Sequence, residues 1–326
     1  MTSDTGVQAH AAAKERGLAR AMSTGRAGDK IFVSAARGSG LTVLAIVAAI
    51  AVFLIWKAVP ALQENEASFL TSEEWNPNAN PPEFGIAQLA FGTIMSSLIA
   101  MVIATPVAIG IALFISFYAP RRLASGLGYI VDLLAAVPSI VYGLWGLIFL
   151  SEYMDDAGEF FSTLLGWIPL FSTDSPGKNS MFAAGVVLAI MILPIISSIS
   201  REVFLQVPQA HVEASLALGA TRWEMIRMSV LPYGRSGMIG ASMLGLGRAL
   251  GETIAVAMVL TFVPGINWSI LENGGNTFAA NIANSFAEAT ETGRGALVAS
   301  GLVLFVITLL VNMAARAVVA RRKEFV

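Results

Sequence analysis

The sequence predicts an all-α membrane protein with six transmembrane helices and both chain ends on the cytoplasmic side. Three observations carry that reading. Of the 326 residues, 56% are hydrophobic and only 13% are charged, with a mean hydropathy of +0.71. A water-soluble domain carries about a quarter charged residues, so lipid is the expected solvent. Six stretches, about 40–62, 87–118, 126–150, 180–203, 235–262 and 295–318, are long and apolar enough to cross a hydrocarbon core of about 30 Å. With the N-terminus inside, sixteen Lys and Arg fall in inner segments and only Lys178 and Arg294 in outer ones. That asymmetry orients membrane helices.

Residues 1–30 are polar and mildly basic and lack an apolar signal core, so a disordered cytoplasmic tail is expected there. Residues 31–62 hold a retained first membrane helix, because the run Leu41–Leu62 is too long for a signal peptide. The loop 63–86 has five glutamates and no basic residue and is placed outside. Residues 87–318 form a five-helix core with an inner loop at 204–234, and 319–326 is a basic cytoplasmic tail. The over-long stretch 87–118 contains Thr105-Pro106 and is read as one tilted, kinked helix. Pro138 and Pro194 are expected to kink the third and fourth helices in the same way. The outer loops 63–86, 151–179 and 263–294 are too short to be independent soluble domains.

Composition also excludes chemistry. There is no Cys and there are two distant histidines, His10 and His211, which argues against thiolate and His-cluster metal sites. No GxxxxGK[ST] loop occurs, so the chain is not expected to hydrolyse ATP. The run Gly245-Leu-Gly247-Arg-Ala-Leu-Gly251 misses the dinucleotide spacing by one and follows no strand. Gly240, Gly247 and Gly251 are read as small surfaces for close helix approach.

Charge in the apolar helices is the informative exception. In a helix starting near Arg235, Arg248 lies about 20 Å along the axis, close to the middle of the core. Charge there costs ~2.5–3.5 kcal/mol and commonly marks a pathway. Glu252 follows one turn later, and an internal Arg–Glu bridge that only locks helix packing is the competing reading. Asp132, Lys57, Arg201 and Glu202 lie nearer helix ends and are given structural roles.

The loop 204–234 has a definite grammar. Pro208 suits a first helical turn, Ala210–Leu218 are good helix formers, and Gly219 suits a left-handed cap. Thr221 to Glu224 reads as a capping box opening a second short helix, which Pro232 is expected to end. Two short helices meeting at a glycine form a protruding knuckle.

Glu213-Ala214-Ser215, then Gly219, then Leu231-Pro232 resembles the EAA loop of ABC-importer permeases, with Ser215 and Ser229 departing from the usual Ala and Ile. Leu244–Thr253, Phe69-Leu70 with Trp75-Asn76-Pro77 and Phe84-Gly85, and Pro138–Gly143 resemble the PstC-type phosphate-specific permeases. The resemblance implies a type I ABC importer permease fold working by alternating access. It implies that Glu213, Ala214, Ser215, Gly219 and Ala220 couple to a cytoplasmic ATPase dimer (PstB type), which carries ATP-Mg, and that this chain binds no cofactor itself. Further partners would be a sister permease (PstA type) and an extracytoplasmic phosphate-binding protein (PstS type). Arg248 would contact phosphate, since a guanidinium offers a planar fork of donors to two oxygens. Glu252 would neutralise Arg248 in the empty site or accept the substrate's proton, and Thr253 and Ser139 would add lining hydroxyls. A permease for another oxyanion, such as phosphonate or sulfate, and a passive anion channel are the alternatives.

Overall fold

The computed structural model describes the backbone of residues 4–320 and the side chains of residues 28–317. The chain divides into two compact units, Met1–Trp56 and Lys57–Val326. One helix, α1 (Asp4–Glu64), runs through the first unit and ends in the second. Helix therefore begins at Asp4, where the sequence leads one to expect a disordered tail to residue 30. The segment is rich in alanine and free of proline, which favours helix. The end of the expected basic tail, residues 321–326, lies outside the described residues.

In the second unit a small hairpin, β1 (Trp75–Asn76) with β2 (Glu83–Phe84), precedes α2 (Ala87–Leu113). α2 continues through one π turn to Tyr118 and stays helical past Pro106, as expected of one long span. α3 (Arg121–Ala135) and α4 (Ser139–Trp145) were expected to form one kinked helix over 126–150. They are instead separate, and the segments Arg121–Ala135 and Ser139–Leu165 are bent by 92°. Pro138 is extended (φ −60, ψ 140), and a proline disfavours the α region for the residue before it, so the helix stops short of it. α5 (Ser151–Leu165) occupies half of a segment expected to be loop.

α6 (Met181–Leu205) is capped by Ser180 and stays helical through Pro194. α7 (Gln209–Ala217) and α8 (Arg222–Met225) form the expected knuckle. Pro232 does not end α8. A π turn over Ile226–Val230 leads directly into α9 (Leu231–Leu250), whose first turn holds Pro232, where no amide donor is required. The expected span 235–262 is broken in turn: α9 stops at Gly251, and α10 (Ile254–Val259) starts afresh. α11 (Phe278–Ser285) and α12 (Glu291–Ala320) complete the unit. Among the described residues four helices are long and apolar enough to cross a membrane, or five when α3–α5 counts as one bent span. α9 falls short because glycines, serines and Arg235 and Arg248 dilute its hydropathy.

The core is built where α2 meets α6. Ala100, Ala104 and Ala108 recur at four-residue spacing on α2 and are fully buried against Leu188, Met191, Ile192 and Ile196. In hydrocarbon, helices are held by close packing rather than by water exclusion, and small residues permit that approach. Ala104→Leu inserts three carbons into a filled seam. It is expected to cost about 1–3 kcal/mol of stability, read as a lowered unfolding midpoint of the detergent-solubilised protein.

Candidate functional site

Arg248 sits in the last turn of α9 and lines a cavity of about 830 Å³. The other polar side chains on that wall, among the described residues, are Ser236, Asn312 and Arg316, and no described carboxylate lines it. Arg248 Nε is buried without a hydrogen-bond partner, so the guanidinium retains donor capacity. Two guanidinium groups facing one cavity, with no acid among its described lining residues, make it suitable for an anion. Asn312 and Arg316 line this cavity although the sequence reading did not single them out for it. Their four-residue spacing on the last helix, with Asn312 inside an apolar run, was the available signal.

Glu252 is elsewhere. Its spacing to Arg248 has no helical meaning, because Gly251 ends α9 before Glu252 is reached. The two form no ion pair among the described residues. Glu252 is buried (9% exposed), and its Oε1 accepts the Ala255 amide at 3.2 Å, capping the start of α10. Neutralisation of Arg248 by Glu252 is thus not the arrangement found. Thr253 Oγ1 donates to the Gly251 carbonyl at 3.2 Å, closing the same break. Ser139 opens α4 just after Pro138 and is half-buried. Neither it, Thr253 nor Glu252 lines the Arg248 cavity. Gly143 of α4 lies so close to Ala255 of α10 that an added Cβ would stand 2.7 Å from its Cα, so the segments after the two breaks pack together. Pro138 marks one of those breaks, whereas Pro106 and Pro194 lie inside continuous helices.

The structural readings of the other charges hold in one case directly. Arg201 Nη2 lies 3.3 Å from Asp132 Oδ2, and Ser198 Oγ donates to Asp132 Oδ1 at 2.6 Å, joining α3 to α6.

The knuckle is preformed. Gly219 takes φ +86, the left-handed conformation its position requires. Glu224 Oε2 accepts the Thr221 amide at 2.8 Å while Thr221 Oγ1 accepts the Glu224 amide at 3.3 Å, a complete capping box. Glu213 and Ala214 are exposed, and Leu218 is 90% exposed with Trp223 and Met228 also open. Ser215 is half-buried, and its Oγ lies 2.6 Å from Ser229 Oγ, so the two departures from the EAA pattern are hydrogen-bonded to each other. Ala220 donates its amide to the Ser215 carbonyl at 3.2 Å.

Residues 104–324 match the family described as "Binding-protein-dependent transport system inner membrane component". The chain belongs to that permease family. Within it, the permease is 49% identical over 304 residues to "Phosphate transport system permease protein PstC 2" of Mycobacterium tuberculosis, covering 91% of this chain and 93% of that one. It is 47% identical over 287 residues to the PstC protein of Xylella fastidiosa (strain Temecula1), covering 86% and 87%. The methionine ABC transporter MetNI in an inward-facing form shares the fold, with a TM-score of 0.52 at 18% identity, covering 73% of this chain and 94% of that one. The permease is a multi-pass membrane protein that works with other ABC components, an ATPase and a substrate-binding protein.

The Thr221 backbone bond, followed by its side-chain bond, holds the Glu224 carboxyl below the usual carboxylate range. A depressed acid stabilises above its unfolded value and loses that contribution as pH falls through the lowered one. Protection of the Glu224 amide from exchange, corrected for intrinsic rates, is expected to fall on acidification through that range. In Glu224→Gln it is expected to stay flat.

Proposed function

We infer that this chain is the membrane permease subunit of an ATP-driven phosphate importer. Its near full-length similarity to PstC proteins carries that reading. In the arrangement we propose, six crossings place both termini in the cytoplasm, α9 and α10 together forming one broken crossing. The knuckle α7–α8 then faces the cytoplasm and seats on a PstB-type ATPase dimer through Glu213, Ala214, Ser215, Gly219, Ala220 and the exposed Leu218. ATP-Mg belongs to that ATPase, and this chain supplies no cofactor and no hydrolytic step. A PstA-type sister permease completes the membrane part, and a PstS-type protein delivers phosphate from outside.

The mechanism follows from rigidity. α8, the π turn and α9 run on almost without interruption from the knuckle to Arg248, so displacement of the knuckle is transmitted to the cavity wall. Arg248 binds the anion by charge-assisted hydrogen bonds. Glu252 positions α10, and Thr253 holds the break; Ser139 opens α4, which packs on α10. Arg316 and Asn312 continue the polar wall beyond Arg248 along α12.

Arg248→Ala is expected to abolish ATP-dependent phosphate uptake by the reconstituted complex while basal assembly persists. Uptake equal to the parent would remove Arg248 from the pathway. Glu252→Gln retains an acceptor for the Ala255 amide and is expected to keep most transport. Glu252→Ala is expected to lose about 1 kcal/mol of stability with the cap, read by thermal unfolding.

A further inference from the structure

Arg248 does not stand alone on its cavity. Ser236, Gly240, Met243, Gly247 and Arg248 recur every three to four residues, so the cavity is a groove along one face of α9. Ser236 and Arg248 are twelve residues apart, which makes the groove about 18 Å long. The facing wall comes from α12, where Asn312 and Arg316 are spaced by one helical turn and share a face. In the sidedness proposed above, α9 rises from the cytoplasmic knuckle and α12 returns to the cytoplasm. Arg316 then stands toward the inner mouth, where Ser236 lies, and Arg248 stands at the deep end. Asn312 is one turn further in than Arg316.

An arginine at the inner end of a membrane helix ordinarily extends to the headgroups. Arg316 instead lines the same groove as Arg248, and it forms no ion pair among the described residues. Between the two cations the wall is largely apolar, with Ile239 and Leu244 on α9 and Ile195 on α6. An anion that leaves Arg248 inward gives up a guanidinium before it reaches water, which is costly in apolar surroundings. Among the described lining residues, Asn312 and Ser236 offer it neutral donors on the way. A second cation at the far end shortens the stretch without compensation, and passage through several sites lets an ion leave each of them.

We propose that Arg316, assisted by Asn312, is a second phosphate contact at the cytoplasmic mouth of the groove, to which Arg248 passes the anion during release. Arg248 lies on the helix that runs on from the knuckle, whereas Arg316 lies on α12, outside that segment. A shift of α9 therefore changes the position of one guanidinium relative to the other. The inference rests on the phosphate reading and on the sidedness proposed above.

The test uses the assembled transporter, with its ATPase and binding protein, in proteoliposomes. Arg316→Gln is expected to lower the maximal rate of phosphate uptake roughly tenfold, while KM, set by capture outside, and assembly stay at parental values. Asn312→Asp keeps the side-chain size and places a carboxylate between the guanidinium groups, so it is expected to lower the rate at least as far. Occupancy is read separately. The chain has no cysteine, so Ser236→Cys gives it a single thiol at the inner mouth. In the ATP-free complex inorganic phosphate is expected to slow alkylation of that thiol by N-ethylmaleimide. Arg316→Gln is expected to remove the protection, and Arg248→Ala to keep it. Parental uptake in both Arg316→Gln and Asn312→Asp, or protection that survives Arg316→Gln, would overturn the assignment. So would an Arg316→Gln defect that appears in vesicles with anionic phospholipid and vanishes in phosphatidylcholine alone, which would make Arg316 a headgroup anchor. Failure of the phosphate reading shows differently, as absence of phosphate uptake by the parent complex, and it would take this assignment with it.

Discussion

A helix that breaks away from water exposes backbone donors and acceptors that need partners within the protein, and the second unit contains two breaks. One lies between α3 and α4, the other between α9 and α10. Each is closed by side chains. Tyr142 donates its hydroxyl to the Leu134 carbonyl at 2.9 Å across the first. Glu252 and Thr253 serve the second, and Asn179 Nδ2 donates to the Val259 carbonyl at 2.8 Å where α10 ends. The breaks are tolerated because protein covers them: α4 and α10 pack together at Gly143 and Ala255. Arg248 sits in the last turn before one of these breaks, so its place in the cavity depends on that closure holding.

Much of this was legible in the sequence. Capping chemistry is local, and so Gly219 and the Thr221–Glu224 box stand in the structure as their types dictate, while Pro208 precedes the first turn of α7 as its N-cap. The break near Pro138 was readable as a bend, though not its size, because a proline marks where a helix is interrupted while tertiary packing sets the angle. The break at Gly251 was not readable. No proline announces it, Gly251 reads equally well as a packing surface, and a buried Glu looks the same in a helix as at its cap. A helix continued through Gly251 would set Glu252 one turn beyond Arg248, which the break undoes. α11 escaped notice for another reason: it is eight residues long, and it is held by contacts from afar, including Thr93 Oγ1 accepting the Phe278 amide at 3.1 Å.

The two serines in the coupling loop show how a departure from a family pattern is read physically. A lone Ser215 in place of alanine would bring a hydroxyl into a half-buried contact and require a partner. Ser229, itself a departure, supplies that partner from the π turn, while Ser215 also donates within its own turn to the His211 carbonyl at 2.9 Å. The pair ties α7 to the segment leading into α9. Taken singly the substitutions weaken the match; taken together they are one polar clasp replacing one apolar contact.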